Sequence, residues 1–357
     1  MTFDLQSLVR QNIRDLKPYS SARSEFEGVA EIFLDANENS FGSPAGDELN
    51  RYPDPLQAEL KARISSMKGI DPSQIFVGNG SDEAIDLLLR IFCDPGRDEA
   101  IICPPTYGMY RVSADINNVM VNEVKLTDDF QLDVAGILSA MGNETKLIFI
   151  CSPNNPTGNL MRGESIAEIA DKFDGVVVVD EAYIDFAPDA SLIGELASIP
   201  NLVVLQTFSK AWGMAGVRVG LAFASTEITG LLNRVKPPYN VSGIAQRAVD
   251  AALAKHNDVQ RWIDATLDER AVVAESLRRF EFVEKVHQSD ANFILVRVSD
   301  ANSIYRYLVG EGIIVRNRSS VELCEGCLRI TIGTSGENDR LIASLGKFEG
   351  AAGRSTI

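Results

Sequence analysis

Long apolar runs and an excess of positive charge are both missing from this sequence. A membrane-spanning helix needs roughly 20 consecutive apolar residues, and every apolar run here is much shorter. The 357 residues include 34 lysines and arginines against 50 acidic residues, a formal net charge of -16, whereas nucleic-acid-binding proteins carry a basic patch. The N-terminal segment is charged early and lacks an apolar signal core. We therefore expect a cytoplasmic protein that binds neither membrane nor nucleic acid.

Histidine is scarce, and the cysteines do not form a metal-binding pattern. The only two histidines are His256 and His287, and neither has the neighbours expected of a serine or cysteine triad. Cys324 and Cys327 form one Cys-x-x-Cys, but a structural zinc site of this kind needs a second pair. The other three cysteines lie in apolar runs typical of a core: Cys93, Cys103 and Cys151. We therefore expect no metal, and a reducing compartment suits these thiols.

Strand-like and helix-like segments alternate through most of the chain. Short apolar, β-branched runs predict strands that are buried on both faces, at 99–103, 146–151, 176–180, 202–206 and 218–224. Helical patterns, such as those at 81–94 and 163–173, separate several of them. This alternation predicts an α/β fold with a mainly parallel sheet flanked by helices. We place this large domain at residues 45–265.

The C-terminal part has strands and helices of its own. The segments "ANFILVRV" (291–298), "GIIVRN" (312–317) and "CLRITIGT" (327–334) predict strands, and "NSIYRYLVGE" and "ENDRLIASLGKF" predict helices. A chain of this length makes about two domains. We therefore predict a smaller α/β domain formed by residues 266–357 together with residues 1–44, which include an N-terminal arm.

Polar side chains follow several predicted strands of the large domain, and others begin the helix after "GNG". In open α/β sheets, ligands bind where the carboxyl ends of the parallel strands open. The polar residues at these positions are Ser81, Asp82, Asn154, Asn155, Asp180, Glu181, Tyr183, Ser209 and Lys210. One edge of the sheet thus gathers amides, carboxylates, a phenol, an amine and a helix N-terminus.

Each of these residues also has a purely structural explanation, since Asn155 could begin a turn, Asp180 could cap a helix and Lys210 could reach solvent. Together, however, they suit one ligand. The helix N-terminus, Ser209 and Arg218 would hold a phosphate. Asp180 would keep a pyridine nitrogen protonated. A neutral Lys210 would form a Schiff base with an aldehyde. These residue types predict pyridoxal 5'-phosphate as the cofactor.

Three stretches resemble the signature motifs of fold-type I aminotransferases: "CSPNNPTGN", "VVVDEAYIDF" and "TFSKAWGMAGVRVG". Further segments resemble the histidinol-phosphate aminotransferase family, namely "LDANENSFGSP", "RYPDP", "GNGSDEAIDLL", "PPTYGMY", "KPPYNVS" and "GCLRITIGT". The resemblance extends from about residue 17 to residue 345. It implies a transaminase of histidine biosynthesis that moves an amino group between L-histidinol phosphate and 2-oxoglutarate, with imidazole acetol phosphate and glutamate on the other side.

The resemblance also implies roles for individual residues. Lys210 would carry the cofactor and the substrate proton, Asp180 would pair with the ring nitrogen, and Tyr183 would contact the ring oxygen. The other residues implied in cofactor binding are Gly80, Ser81, Asp82, Tyr107, Asn155, Ser209, Arg218 and, across the interface of a homodimer with shared active sites, Tyr52. Those implied in substrate binding are Tyr19, Asn37, Asn240, Arg316 and Arg329.

Arg329 can also be interpreted without the resemblance. Period-two alternation puts Leu328 and Ile330 on one face of the predicted strand and Arg329 on the other. An arginine there needs an anion, either an internal carboxylate or a carboxylate or phosphate of the substrate. Arg316 and Arg318 share one strand parity, so either could be the second arginine of an anion site.

Three other functions stay open. An aromatic-amino-acid aminotransferase and a threonine-phosphate decarboxylase of the same fold would use the same cofactor. A non-catalytic pyridoxal-phosphate sensor fused to a DNA-binding module belongs to a different class. The absence of a basic helix-turn-helix segment before residue 45 argues against the sensor.

Overall fold

A computed structural model of the chain describes residues 3–19, 31–46 and 49–352. The strands of its larger sheet are β1 (Ile75–Gly78), β2 (Glu99–Ile102), β3 (Met120–Glu123), β4 (Thr145–Cys151), β5 (Val176–Asp180), β6 (Leu202–Thr207) and β7 (Gly220–Phe223). They lie in the order β1-β7-β6-β5-β4-β2-β3. Strands β2 to β6 pair in parallel, whereas β7 is antiparallel to both β6 and β1.

The central strand β5 shows why this sheet is mainly parallel. Its sequence "VVVVD" is buried along its whole length, as expected for a strand that is covered by helices on both faces. Val177 and Val179 pack into the core on one face of the sheet, and Val176 and Val178 pack into the core on the other. The predicted α/β fold with a mainly parallel sheet is confirmed.

Helices surround this sheet on both faces. They are α1 (Leu5–Leu8), α2 (Gln11–Arg14), α3 (Ala58–Lys68), α4 (Ser81–Phe92), α5 (Met109–Ile116), α6 (Val134–Ala140), α7 (Gly163–Lys172), α8 (Thr226–Val235) and α9 (Gly243–Leu253). Helix α4 buries Ile85, Leu88 and Phe92, a spacing of three to four residues that turns one face to the sheet. No helix in the described ranges is long and apolar enough to cross a membrane.

A second, four-stranded sheet follows in the chain. Its strands are β8 (Val283–Val286), β9 (Phe293–Val298), β10 (Arg316–Asn317) and β11 (Cys327–Thr331), which pair antiparallel in the order β10-β11-β9-β8. The helices of this part are α10 (His256–Leu277), α11 (Ala301–Gly310) and α12 (Ser335–Ala352). Leu328, Ile330 and Ile332 lie together in a third core, as the alternation of the β11 sequence predicts.

The long helix α10 connects the cores of the two sheets. Its Val259 and Ile263 belong to a core of the seven-stranded sheet, whereas Val273 and Leu277 belong to the core of the four-stranded sheet. The predicted domain boundary at residue 265 falls inside this helix. The division into a domain at 45–265 and a second domain therefore stays a prediction.

The N-terminal segment lies elsewhere than we expect from the sequence. Val9 and Ile13 pack into the core that contains α4, and the Arg10 side chain forms an ion pair with Asp94. The backbone N–H of Arg10 also donates to the carbonyl of Ile91. Residues 5–14 thus pack against the larger sheet, because Val9 and Ile13 are buried in the core that contains α4.

Several strand predictions differ from the structure in detail. The sequence patterns do not predict the short strands β1, β3 and β8, and the strand expected at 312–317 is reduced to the two residues of β10. The strand predicted at 218–224 begins at Gly220 and runs antiparallel to its neighbours. The connection from β6 to β7 contains only a 3₁₀ turn, and a parallel pairing needs a longer crossover, usually a helix.

Candidate active site

A cavity of about 660 Å³ lies at the carboxyl ends of β4, β5 and β6 and extends to β10 and β11. The structure brings these predicted site residues together in its wall: Ser81, Asp82, Tyr107, Asn155, Asp180, Tyr183, Ser209, Lys210, Arg218, Arg316 and Arg329. Both sheets therefore contribute to one cavity. This is the position expected for a ligand in an open α/β sheet.

Asp180 forms the deep end of the cavity. It is the last residue of β5 and is almost fully buried. Burial raises the pKa of its carboxyl and hydrogen bonds from the Tyr110 phenol and the Ala182 N–H lower it, so that the resulting pKa is about 6. The carboxylate therefore predominates at neutral pH, which makes it a suitable partner for a cationic ring nitrogen.

Lys210 follows the buried strand β6, and its side chain is accessible from the cavity. Desolvation and the nearby Arg329 lower the pKa of its amine, whereas Asp180 and Asp82 raise it and Arg218 lowers it by a smaller amount. Its Nζ lies 5.3 Å from the centre of the Tyr183 ring. A lowered pKa increases the neutral, nucleophilic fraction of the amine.

The N-terminus of α4 forms an anion cradle at one side of the cavity. Gly80 precedes the helix with a φ of +79°, and a Cβ added there would lie 2.7 Å from Nη2 of Arg218. A Cβ on Gly220 would lie 2.2 Å from the backbone nitrogen of Ser81. The missing side chains thus let the Arg218 guanidinium and strand β7 approach the N-terminus of α4. The free backbone N–H groups at such a helix N-terminus bind anions.

Arg218 and Ser209 complete this cradle. Nη1 of Arg218 donates to the Ser209 hydroxyl at 3.3 Å, and Arg218 itself adopts a left-handed conformation with a φ of 57°. The carboxylate of Asp82 lies 3.6 Å from Arg218 Nη2 and accepts a hydrogen bond from the Tyr107 phenol. Because the Asp82 carboxylate already has these two partners, the group of Asp82 that is available to bind an anion is its backbone N–H.

Two tyrosines border the space between the cradle and Asp180. Tyr107 packs edge-on against Tyr110, with ring centres 5.6 Å apart. Tyr183 packs edge-on against Phe293, and burial is the main reason that the pKa of its phenol is raised. Tyr183 is therefore protonated at neutral pH and can donate a hydrogen bond into the cavity.

Arginines occupy the end of the cavity that belongs to the smaller sheet. Arg316 on β10 lies directly opposite Arg329 on β11, and Arg318 also lines the cavity. Nη1 of Arg329 donates to the side-chain oxygen of Asn155. Burial is the main cause of the lowered pKa values of Arg318 and Arg329. The cavity thus has a carboxylate at one end and guanidinium groups at the other.

Comparisons with known proteins show which family the chain belongs to. The family model described as aminotransferase class I and II matches residues 23–345. This chain belongs to that family. Two similar curated relatives are the histidinol-phosphate aminotransferases of Bacteroides fragilis, 51% identical with 97% of this chain and 99% of the relative covered, and of Cytophaga hutchinsonii, 52% identical with 96% and 98% covered.

Solved structures of aminotransferases have the same fold. The histidinol-phosphate aminotransferase of Sinorhizobium meliloti, solved in complex with pyridoxal-5'-phosphate, matches with a TM-score of 0.77 and 25% identity over 89% of this chain and 90% of that one. The Clostridium acetobutylicum histidinol-phosphate aminotransferase matches with a TM-score of 0.79 and 25% identity over 85% and 92%. The predicted family and the predicted class, a pyridoxal-phosphate-dependent transaminase, are both confirmed.

The residues of this aminotransferase fit pyridoxal phosphate. The anion cradle at α4 suits its phosphate, Asp180 suits its ring nitrogen, and Lys210 lines the same cavity, close enough to both for Asp180 and Arg218 to act on its amine. When bound, this cofactor supplies an aldehyde that combines with amines and a ring that accepts electrons from the substrate carbon. The chain supplies the anion site, the buried carboxylate and an amine with a lowered pKa.

Five predicted site residues do not line the cavity of this aminotransferase chain: Gly80, Tyr52, Tyr19, Asn37 and Asn240. Gly80 acts through its missing side chain, as described above. The Asn240 amide donates to the Val77 carbonyl at 3.0 Å and to Glu83 at 2.9 Å. Asn240 therefore holds the segment before α4, and its contact with substrate stays a prediction.

Three of these residues are far more exposed. Tyr52 stacks on Tyr239, with ring centres 4.4 Å apart, and Tyr19 lines a separate cavity beside Lys236. Asn37 has a φ of 54°, a left-handed conformation that asparagine tolerates well. None of these positions explains, within one subunit, a contact with cofactor or substrate.

Two residues that matter to the site were not predicted. Tyr110 reaches Asp180 from α5, and Glu83 accepts hydrogen bonds from the Asn79 N–H and the Asn240 amide. Tyr107 precedes α5, which begins at Met109, so no helical spacing in the sequence links Tyr110 to the site. Glu83 is the third residue of α4, where acidic side chains commonly cap a helix. The sequence therefore carries a signal for Glu83 but not for Tyr110.

Proposed function

We propose that this aminotransferase moves an amino group between L-histidinol phosphate and 2-oxoglutarate, giving imidazole acetol phosphate and glutamate, a step of histidine biosynthesis. The observation that carries this proposal is the arginine end of the cavity, where Arg316 and Arg329 lie opposite each other on β10 and β11. Histidinol phosphate brings a phosphate to that end, and glutamate brings a carboxylate. Guanidinium forks bind both anions. The names of the two curated relatives support the same substrate.

The roles proposed for the cofactor-binding residues follow from their positions. Ser209, Arg218 and the backbone N–H groups of Ser81 and Asp82 hold the cofactor phosphate. Asp180 keeps the ring nitrogen protonated, Tyr107 stacks on the ring, and Tyr183 and Asn155 contact the ring oxygen. Asn155 already accepts a hydrogen bond from Arg329, so it links the ring to the anion end of the cavity.

Lys210 is the residue that we propose to move the proton. Its neutral Nζ takes the proton from the substrate carbon that bears the amino group and returns a proton at the end of the half-reaction. The lowered pKa of this amine supports the role. The centre of the Tyr183 ring lies 5.3 Å from Nζ. Because the Tyr183 phenol stays protonated, it does not compete with Lys210 as a base.

A substrate panel tests the function. Purified holoenzyme is incubated with 2-oxoglutarate and, separately, with L-histidinol phosphate, phenylalanine, tyrosine and threonine phosphate, and each product is identified by mass spectrometry. The proposal expects the highest kcat/KM with histidinol phosphate. A higher kcat/KM with an aromatic amino acid, or release of carbon dioxide from threonine phosphate, would replace the proposed reaction with the corresponding alternative.

We also propose a homodimer with shared active sites, in which Tyr52 reaches the cofactor phosphate of the neighbouring subunit. Tyr52 is 51% exposed and does not line its own cavity. Other large apolar side chains near the N-terminus are exposed as well: Tyr19, Ile32, Leu34, Phe41 and Leu56. Exposed apolar surface of this extent is typical of a protein interface, and a two-fold interface would create two equivalent sites.

Complementation between inactive subunits tests this arrangement. The Tyr52→Ala and Lys210→Ala homodimers should each be impaired, and the second should lose almost all activity. A mixed dimer would contain one site with both defects and one with neither. Activity above the Tyr52→Ala background supports sharing, whereas no recovery in a demonstrated heterodimer contradicts it.

A cytoplasmic location is the remaining proposal. All five cysteines are free thiols, which agrees with a reducing compartment. Immunoblotting of cytoplasmic, membrane and secreted fractions of the producing cell tests it, and recovery mainly outside the cytoplasmic fraction would contradict it.

A further inference from the structure

Arg318 is a third guanidinium at the anion end of the cavity, and the function proposed above does not use it. Its backbone N–H donates to the carbonyl of Cys327 at 2.9 Å, which extends the pairing of β10 with β11 by one residue. Because alternate residues of a strand share a face, Arg318 lies on the same side as Arg316. Arg329 lies opposite Arg316, so three guanidinium groups line one end of a single cavity.

In the part of the chain that the structure describes, no carboxylate is among the groups that shift the pKa of Arg318 or Arg329. The groups that raise these two pKa values are the Cys324 thiol and the Tyr183 phenol, and Arg329 also donates to the neutral side-chain oxygen of Asn155. The Nε atoms of Arg318 and Arg329 are buried and have no hydrogen-bond partner. Burial and the two neighbouring arginines lower the pKa of Arg318. Like charges that are partly desolvated and lack an acidic partner are costly unless an anion binds between them.

The charge of the two proposed substrates differs at this end of the cavity. The distal carboxylate of glutamate carries one negative charge, whereas a phosphate monoester carries between one and two, because its second pKa is about 6. Coulomb attraction is proportional to the charge of the ligand. A third guanidinium therefore favours the phosphate ester over the carboxylate, while two guanidiniums are enough to bind either one.

We propose that Arg318 is a specificity-determining residue, which completes a three-arginine site with Arg316 and Arg329 and selects phosphate monoester substrates over dicarboxylates. This proposal rests on the proposed reaction of histidinol phosphate. It adds a role to a residue that is not needed for transamination itself. Arg318 contacts the distal anion and lies at the opposite end of the cavity from Asp180.

Arg318→Gln tests the proposal, because glutamine keeps much of the length of arginine and removes its charge. The half-reactions of the holoenzyme with histidinol phosphate and with glutamate are followed separately by the absorbance of the cofactor. For histidinol phosphate, kcat/KM should fall roughly 10- to 100-fold, the effect of losing a charge-assisted hydrogen bond. The loss should lie mainly in KM, since the distal anion does not react. For glutamate, the fall should be no more than about threefold.

Two further variants separate specificity from general damage. Arg318→Lys keeps the charge and should recover much of the preference for histidinol phosphate. Arg279→Gln removes the same charge from an exposed position just after α10, and should change neither half-reaction. Equal losses of Arg318→Gln for both substrates, with a matching loss of thermal stability, would mean that Arg318 has only a structural role.

The pH dependence gives a readout that a structural role does not move. The charged or titratable groups that face Arg318 are Arg316, Arg329, Cys324 and Tyr183. Burial raises the pKa of Cys324 to about 12 and also raises that of Tyr183, so neither thiol nor phenol titrates near neutrality. The substrate phosphate gains a proton as the pH falls through its second pKa of about 6 and then carries less negative charge for Arg318 to bind. The ratio of wild-type to Arg318→Gln kcat/KM for histidinol phosphate should therefore become smaller as the pH is lowered through that range. A ratio that stays constant through that range contradicts the proposal.

Failure of the proposed function gives a different result. If wild-type holoenzyme reacts with glutamate but not with histidinol phosphate, the proposed reaction is wrong. Inorganic phosphate and acetate are then compared as inhibitors of the glutamate half-reaction. Weaker inhibition of Arg318→Gln by phosphate, with unchanged inhibition by acetate, keeps the three-arginine phosphate site. Equal inhibition of the variant and the wild type by phosphate overturns it.

Discussion

The Tyr110 phenol donates a 2.8 Å hydrogen bond to Oδ2 of Asp180, and both residues are buried. Tyr110 is held in place by a parallel stack on Phe149, with ring centres 5.1 Å apart. The other carboxylate oxygen of Asp180 accepts the Ala182 N–H. Burial alone would keep much of Asp180 protonated, and these two donors offset that effect. Tyr110 is therefore a positioning residue that helps to keep Asp180 ionised.

Replacing Tyr110 by phenylalanine should move the acid limb of the pH–rate profile to higher pH. The substitution removes a donor that lowers the pKa of Asp180, so this pKa rises above its value of about 6. Because Asp180 works as the carboxylate, which is the form present above its pKa, activity should then be lost at a higher pH as the solution is acidified. The pH dependence of kcat/KM for glutamate measures the shift.

Tyr305→Phe is the matched control, since Tyr305 lies on α11 at the core of the smaller sheet and should leave the profile unchanged. The pH dependence of the absorbance of the bound cofactor gives a second readout. A Tyr110→Phe enzyme with a normal acid limb and only a lower melting temperature would show that Tyr110 acts solely through packing.

Asp180→Asn should retain some cofactor but lose most transamination. A neutral amide cannot stabilise a pyridinium electrostatically, although the neighbouring donors and the anion cradle at α4 are left intact. Single-turnover kinetics with glutamate measure the loss, and absorbance of the bound cofactor measures its retention. Near-normal turnover in a fully loaded variant would count decisively against the proposed role.

Lys210 should be the residue that carries the cofactor. Its amine has a lowered pKa and opens into the cavity, whereas the buried Lys236 donates to the carbonyls of Pro55 and Pro238 away from it. Borohydride reduction of the holoenzyme followed by peptide mapping should leave the pyridoxyl group on the peptide that contains Lys210. Recovery of the label on another lysine would show that Lys210 does not carry the cofactor.

Arg329→Ala should weaken the reaction with both glutamate and histidinol phosphate. Each lost charge-assisted hydrogen bond costs about 1.5–3 kcal/mol of transition-state binding, and the substitution also frees Asn155 from its present donor. The measurement is kcat/KM for each half-reaction. If only one half-reaction suffers, the idea that both anions share Arg329 is wrong.

The sequence predicts the centre of this molecule better than its margins. The strands from 146–151 to 202–206 are buried on both faces, so their apolar runs are unmistakable, and the polar residues that follow them meet as expected in one cavity. The sequence does not predict β1 or β8, because the apolar run of β1 is only three residues long and Glu284 and Lys285 interrupt β8.

The contacts of long polar side chains were harder to predict. Asn240 is in "KPPYNVS", but nothing in that motif says that its amide turns to Val77 and Glu83. Alternation along the strands placed Arg316 and Arg318 on one face, but only the register of β10 with β11 sets Arg316 opposite Arg329. Such contacts join segments that are far apart in the chain, and no local pattern encodes them.

Gly80→Ala should weaken cofactor binding without unfolding the protein. Gly80 has a φ of 79° and a ψ of 166°, a region that essentially only glycine occupies and where another residue costs on the order of 1–3 kcal/mol. The new Cβ would also lie 2.7 Å from Nη2 of Arg218. The guanidinium is the far end of a flexible side chain, so it can move, but it then leaves the anion cradle. We expect cofactor affinity to fall roughly 10-fold or more from the loss of a charge-assisted contact.

Gly230→Ala is the matched control, because Gly230 lies in α8, has no atom within 4 Å of a built Cβ and lies outside the catalytic cavity. Alanine stabilises a helix relative to glycine by up to about 1 kcal/mol, so this variant should bind cofactor normally and melt at the same temperature or higher. Titration of both apo-enzymes with pyridoxal phosphate, followed by fluorescence, measures the affinities. If Gly80→Ala binds pyridoxal phosphate as tightly as Gly230→Ala does, Arg218 does not need the missing side chain at Gly80 to keep its place in the anion cradle. If apo Gly80→Ala is less stable but its affinity for pyridoxal phosphate is unchanged, the glycine is needed only for its backbone conformation.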